Sequence, residues 1–185
     1  MATAATTPIT VEQFLRDYPD QKYLELVRGE VVEHMPPGFL HGFLALTLGA
    51  HLWIWIREHN GGYAGVESGF VLEREPDTVR GPDVFYVRRE RVEALKQMRS
   101  FADFAPDLAV EIVSPGDSGE SIVDKVEQYL AAGTAQVWVV YPDRKGVHVH
   151  TPDGTTQRLS ITDTLTGGEL LPEFALPLAD LFAGV

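Results

Sequence analysis

Residues 105–115 read APDLAVEIVSP, a Pro-Asp pair followed by an apolar run with one glutamate at its centre. Extended backbone puts Asp107, Ala109, Glu111 and Val113 on one side and Leu108, Val110 and Ile112 on the other. A run this apolar suits the interior of a sheet, where an ionised carboxylate is costly unless it is paired or holds a metal. Glu111 therefore marks either a structural ion pair, with Arg88 or Lys125, or a site with chemistry.

Outward from this strand, DVFYV (83–87) predicts a buried strand opening after Gly81-Pro82, and AQVWVVYP (135–142) another. Between them, SPGDSGESIVDKVEQYLAAG gives a loop and an amphipathic helix whose inward face is Ile122, Val126, Tyr129 and Leu130. Upstream, Thr10 and Gln13 form a capping box for a short helix stopped at Pro19. KYLELVRGEVVEH predicts a hairpin turning at Arg28-Gly29. Leu44, Leu48, Leu52, Trp55 and Ile56 recur at helical spacing before Asn60-Gly61-Gly62. YAGVESGFVLERE predicts a bent strand or hairpin, RRERVEALKQM a short helix, and GVHVHTPDGTTQRL an edge hairpin turned at Asp153-Gly154. The Pro-broken tail LLPEFALPLADLF predicts a turn and short helix. This order describes a single α/β domain over residues 1–185 with a mixed central sheet flanked by helices, and residues 1–9 as a flexible leader.

Composition narrows the chemistry. With 185 residues and 44% apolar content the chain supports one substantial core. The 27 acidic against 15 basic residues, net charge -12, argue against passive nucleic-acid binding by a broad basic surface. No cysteine is present, which excludes disulfides, thiolate zinc sites and cysteine nucleophiles. The glycine-rich SPGDSGES lacks the Lys-Ser/Thr of a phosphate loop, and neither GxGxxG nor a serine-hydrolase elbow is present. MATAATTPIT has no basic stretch followed by an apolar core, and the uninterrupted apolar runs fall well short of a membrane span. The expectation is a cytoplasmic protein without a membrane partner.

Asp83 stands at a strand entry, like Glu111 a carboxylate beside apolar neighbours. If the two strands are neighbours, both converge on one divalent cation, magnesium or manganese by the hardness of oxygen donors, with the Ile112 carbonyl as a further ligand. Lys125, at the border of the helix's buried stripe, can reach over the strand end to orient water and offset phosphate charge.

GPDV, PDLAVEIVSPGDS and DKVEQYLAAGTAQVWVVYPD, with YLELVRGEVVEHMPPGFLH upstream, together resemble a bacterial family of putative restriction endonucleases in the PD-(D/E)xK nuclease superfamily, over about residues 20–150. The resemblance implies a restriction-endonuclease-like core, a magnesium site and cleavage of nucleic acid, with DNA as the partner and a homodimer as the assembly. It assigns the Asp of the PD pair to Asp83 and the acidic residue of the (D/E)xK element to Glu111. The usual lysine would fall at 113, where this chain has Val113, and the resemblance moves it to Lys125. Glu30 matches an additional acidic metal ligand from an early element, and His41 a histidine at the start of the long helix.

Blander readings stand beside these. Asp107 is a turn residue; His51, His59, His148 and His150 are partly exposed; Trp53, Trp55 and Trp138 serve core packing rather than base stacking. The rival to the nuclease is a catalytically silent homodimeric interaction protein that keeps the fold, supported by the acidity and by Val113.

Overall fold

In the computed structural model the described residues are 7–20, 22–59, 61–93, 95 and 100–185. The expected capping box forms: Thr10 Oγ1 accepts from Gln13 N–H, and Gln13 Oε1 from Thr10 N–H at 2.7 Å, opening α1 (Val11–Asp17). Strands β1 (Leu24–Val27) and β2 (Glu30–Glu33) pair as a hairpin. Its turn residues Arg28 and Gly29 both have positive φ, as a tight two-residue hairpin turn requires. At Gly29 an added Cβ would also meet Pro8 Cβ at 2.4 Å. The long helix α2 (Phe39–His59) follows, then β3 (Tyr63–Gly65), β4 (Phe70–Glu73), β5 (Thr78–Arg80), β6 (Val84–Val87) and α3 (Arg89–Glu93). Next come β7 (Leu108–Ile112), α4 (Gly119–Ala131), β8 (Gln136–Tyr141), β9 (Gly146–His150) and β10 (Thr156–Leu159). The chain closes with β11 (Thr164–Gly167), β12 (Leu171–Pro177) and α5 (Leu178–Leu181).

The fold is α/β with a mixed six-stranded central sheet, ordered β10-β9-β8-β7-β6-β3, in which only β7 and β8 run parallel. That parallel pair needs a crossover, and α4 provides it. The alternation of β7 divides the core. Leu108, Val110 and Ile112 join Leu44, Leu48 and Leu52 of α2 on one face, while Ala109 meets Ile122, Val126 and Tyr129 of α4 on the other. A second sheet, ordered β2-β1-β5-β4, packs on α1 through Leu26, Val71, Val79 and Phe14.

Several expectations change. The segment expected as one bent strand or hairpin splits: β3 joins the central sheet and β4 the second one. The tail forms the hairpin β11–β12 before α5, with prolines at the second and last positions of β12, where a two-stranded ribbon leaves their missing N–H unused. Residues 1–6 of the expected leader lie outside the described residues, and Ile9 is held, its N–H donating to Gly29 O at 2.9 Å. The helix expected over 88–98 is described over Arg89–Glu93, with 94 and 96–99 outside the described residues. Trp55 and Trp138 are buried, but Trp53 faces solvent. α2 is also long and apolar enough to cross a membrane by length and composition, a third of it buried in the fold. Gly, Thr and His break its apolar runs in the sequence without adding the charge that would lower its hydropathy.

Candidate active site

The register of β6 on β7, Val84 facing Val110, brings Asp83 level with Glu111 one step past the last pair. Asp83 Oδ2 accepts the N–H of Ile112 at 2.6 Å, which ties the entry of one strand to the end of the next. His41, in the first turn of α2, places Nε2 3.0 Å from the same oxygen. Burial pulls the His41 imidazole down, but its hydrogen bond to Asp83 and the charges of Asp83, Glu111 and Glu67 outweigh it and raise its pKa. Its Nδ1 is buried without a hydrogen-bond partner among the described residues.

Glu111 is 2% exposed and faces α4. Lys125 and Tyr129, one helical turn apart, both reach it: Lys125 Nζ donates to Oε2 at 2.6 Å and Tyr129 OH to Oε1 at 2.9 Å. Arg88, the other candidate partner, instead holds Asp107, whose Oδ2 accepts the Arg88 N–H at 2.9 Å while Arg91 Nη1 lies 3.0 Å from Oδ1. Asp107 is thus a buried bracket between β7 and α3 rather than a plain turn residue. Val113, at the position usual for lysine, packs against the α4 side of the sheet, and Lys125 brings the ammonium in from that same side. Asp124 is exposed.

Burial, with Asp83 and Glu25 nearby, pushes Glu111 up to about 7, against the pull of Lys125. Burial alone would lower Lys125, but Glu111, Glu25 and Asp83 together hold it above its ordinary range. Carboxylates outnumber ammoniums here, so Lys125 is the fixed charge and Glu111 the group whose ionisation is strained.

A residue given little weight in the sequence joins this cluster. Glu25 on β1 is 6% exposed; its Oε2 accepts from Arg80 Nη1 at 2.7 Å and lies 2.8 Å from His34 Nε2, and its Oε1 accepts from Gly81 N–H at 3.1 Å. Burial works to raise Glu25, but His34, Lys125 and Arg80 hold it at about 2. Arg80 is anchored in turn, donating from Nε to Gln128 Oε1 of α4 at 2.8 Å. The signal was in the sequence: Glu25 interrupts an apolar strand just as Glu111 does. Glu30 is placed differently. It is exposed at the start of β2, an edge strand, and does not line the cavity that the others share.

That cavity, about 820 Å³, is lined by Glu25, His41, Asp83, Glu111, Ile112 and Lys125 among others. Among the described residues no group of three or more His, Asp or Glu side chains is spaced to hold a metal ion. The carboxylates that line the cavity offer hard oxygens beside the imidazoles of His34 and His41, and Asp83 and Glu111 retain lone pairs beyond the hydrogen bonds they accept. Two carboxylates suffice for a magnesium ion that takes the rest of its shell from water and substrate phosphate. The donor chemistry fits such an ion.

The family model described as Uma2, "Putative restriction endonuclease", matches residues 11–179. The crystal structure of a putative nuclease belonging to DUF820 from Anabaena variabilis superposes with a TM-score of 0.82 at 22% identity, covering 95% of this chain and 98% of that one. No curated protein matches the chain.

Proposed function

The chain belongs to the Uma2 family of putative restriction endonucleases, and from that premise we propose that it is a magnesium-dependent endonuclease that hydrolyses phosphodiester bonds in DNA, with manganese as a substitute ion. The supporting observation is that Asp83 and Glu111, level on neighbouring strands, face one open cavity beside the ammonium of Lys125. Asp83 and Glu111 would hold the ion, with the Ile112 carbonyl as the notable backbone donor at the strand end. When bound, the ion polarises the phosphate and makes water a nucleophile near neutral pH.

The chain's own groups do the rest. Lys125 holds Glu111 in place and supplies the fixed positive charge against which a phosphate gains negative charge. The Asp83 hydrogen bond to Ile112 N–H fixes the carboxylate without using a side chain. His41, proton-bearing on Asp83 at the cavity wall, is placed to contact phosphate or hand on a proton. Glu25, held by Arg80, lines the cavity from the second sheet, a position that Glu30 does not reach.

One observation favours the silent interaction protein: both oxygens of Glu111 already accept hydrogen bonds, from Lys125 and Tyr129. Titration calorimetry with MgCl₂ and MnCl₂, run beside supercoiled-plasmid cleavage, separates the two. The nuclease binds metal at millimolar affinity or better and nicks the plasmid; Asp83→Ala and Glu111→Ala lose both, while Lys125→Met keeps metal and loses cleavage. A folded wild type that cleaves with neither metal overturns the nuclease.

A further inference from the structure

Helix α2 has two apolar faces. One, Leu44, Leu48, Leu52, Trp55 and Ile56, packs on the central sheet and fixes the helix in the fold. The other carries Phe39, Phe43, Leu46, Ala50, Trp53 and Arg57, spaced alternately by four and three residues, the seam spacing of a helix that meets another helix. This face is open: Phe39 is 94% exposed, Leu46 72% and Trp53 57%. From Phe39 to Ile56 the helix has no Asp, Glu, Lys or Arg, in a chain of which 23% is made of those four residues. Arg57 closes the seam by lying over the Trp53 ring, 5.5 Å from its centroid.

Two glycines flank the seam. Gly42 and Gly49 sit inside the helix, two turns apart, and among the described residues nothing lies within 4 Å of where a Cβ on either would stand. Glycine weakens a helix interior relative to alanine, and the described residues of one chain leave the space unfilled. Small residues beside an apolar seam allow a second helix backbone to come close.

We propose that this face is a homodimer interface, with α2 antiparallel to α2 of a second copy about a twofold axis at Leu46. An isologous interface must be complementary to itself, and this register is. It sets Phe43 opposite Gly49, Gly42 opposite Ala50, Phe39 opposite Trp53, and Leu46 against its own copy. Phe43 meets the gap at Gly49, Phe39 meets the Trp53 ring, and the small pair Gly42 and Ala50 lets the backbones approach beside the central Leu46 contact. Moving the axis one turn later, to Ala50, sets Phe43 against Arg57 and runs Phe39 past the end of the partner helix. Met35, 87% exposed just ahead of α2, extends the patch. A lipid surface is the poorer occupant, because the seam's one cation is Arg57 and a net charge of -12 opposes anionic membranes. The interface stands apart from the catalytic reading, since it requires neither metal nor nucleic acid.

The chain has no cysteine, so one introduced thiol can report the axis. Sedimentation equilibrium of the full chain at tens of micromolar should give twice the mass of one chain, and Leu46→Glu the mass of one chain with unchanged far-UV circular dichroism. Mild oxidation should cross-link Leu46→Cys and leave Ile161→Cys, an exposed position outside the seam, uncross-linked. Wild type at the mass of one chain overturns the proposal, whether or not it binds phosphatidylglycerol vesicles. A dimer that withstands Leu46→Glu and fails to cross-link at Leu46→Cys overturns it as well.

Discussion

At the residue scale the cluster sets three buried or half-buried carboxylates, Glu25, Asp83 and Glu111, against two permanent cations, Lys125 and Arg80. Removing the ammonium should reveal the imbalance. In Lys125→Met, Glu111 keeps its burial and loses its counter-charge, so its pKa rises further above the ordinary 4.5. At pH 5 it simply takes a proton; at pH 8 it must either stay charged and unpaired or bind a proton against its gradient. The destabilisation should therefore grow with pH, to about 3 kcal/mol at pH 8 by the usual cost of breaking a buried pair. Urea titrations of both proteins at pH 5 and pH 8, without divalent metal, measure it, and a pH-independent difference would contradict the picture.

Glu25 has the opposite sign. Its folded pKa lies near 2 against an ordinary 4.5, so the stability it contributes is complete above 4.5 and is lost as pH falls toward 2. The shift corresponds to roughly 3 kcal/mol. Glu25→Gln should already be less stable at neutral pH, because Arg80 is left buried without its carboxylate, and should show a shallower loss between pH 4.5 and 2.5 than wild type. Thermal melts across that window check it; parallel curves would mean that Glu25 is not held down by its neighbours.

At the element scale, α4 both crosses between the parallel strands and delivers Lys125 and Tyr129. Its start depends on Ser118, whose Oγ accepts the Ser121 N–H at 3.0 Å. Ser118→Ala should cost about 1 kcal/mol, read by urea denaturation, while the pH dependence of stability stays that of wild type, because the Glu111–Lys125 pair is untouched. Elements with strong local signals were legible in the sequence: the capping box of α1, the Arg28-Gly29 turn, the inward face of α4, and the alternation of β7. The β11–β12 hairpin was not. Its prolines argued against a strand, and only the two-stranded ribbon leaves positions where they do no harm. Trp53 was misplaced for a related reason, since on a helix apolar around its whole circumference periodicity does not say which face is inside.

At the scale of the whole molecule, 27 acidic and 15 basic residues leave little for counterion release to work on. Binding to a 20-base-pair duplex, followed by fluorescence anisotropy in a chelator, should be weak. With magnesium present its dependence on monovalent salt should be shallow, a slope equivalent to about three phosphates or fewer. Tight, steeply salt-dependent binding in the chelator would point to a basic groove that the charge balance does not suggest.

The sequence alone determined that an α/β fold carries a mixed sheet, that a carboxylate interrupts its central strand, and that Asp83, Glu111 and Lys125 are candidates for one site. Those conclusions rest on local rules: the period of a strand, the period of a helix and the cost of burying charge. What only the tertiary structure decided is which charges meet. Lys125 rather than Arg88 reaches Glu111, Glu25 rather than Glu30 joins the cavity, and His41 closes on Asp83 from a helix more than 40 residues earlier in the chain. Pairings of this kind depend on strand register and helix placement across the sheet, and nearest-neighbour patterns in a chain carry no information about either.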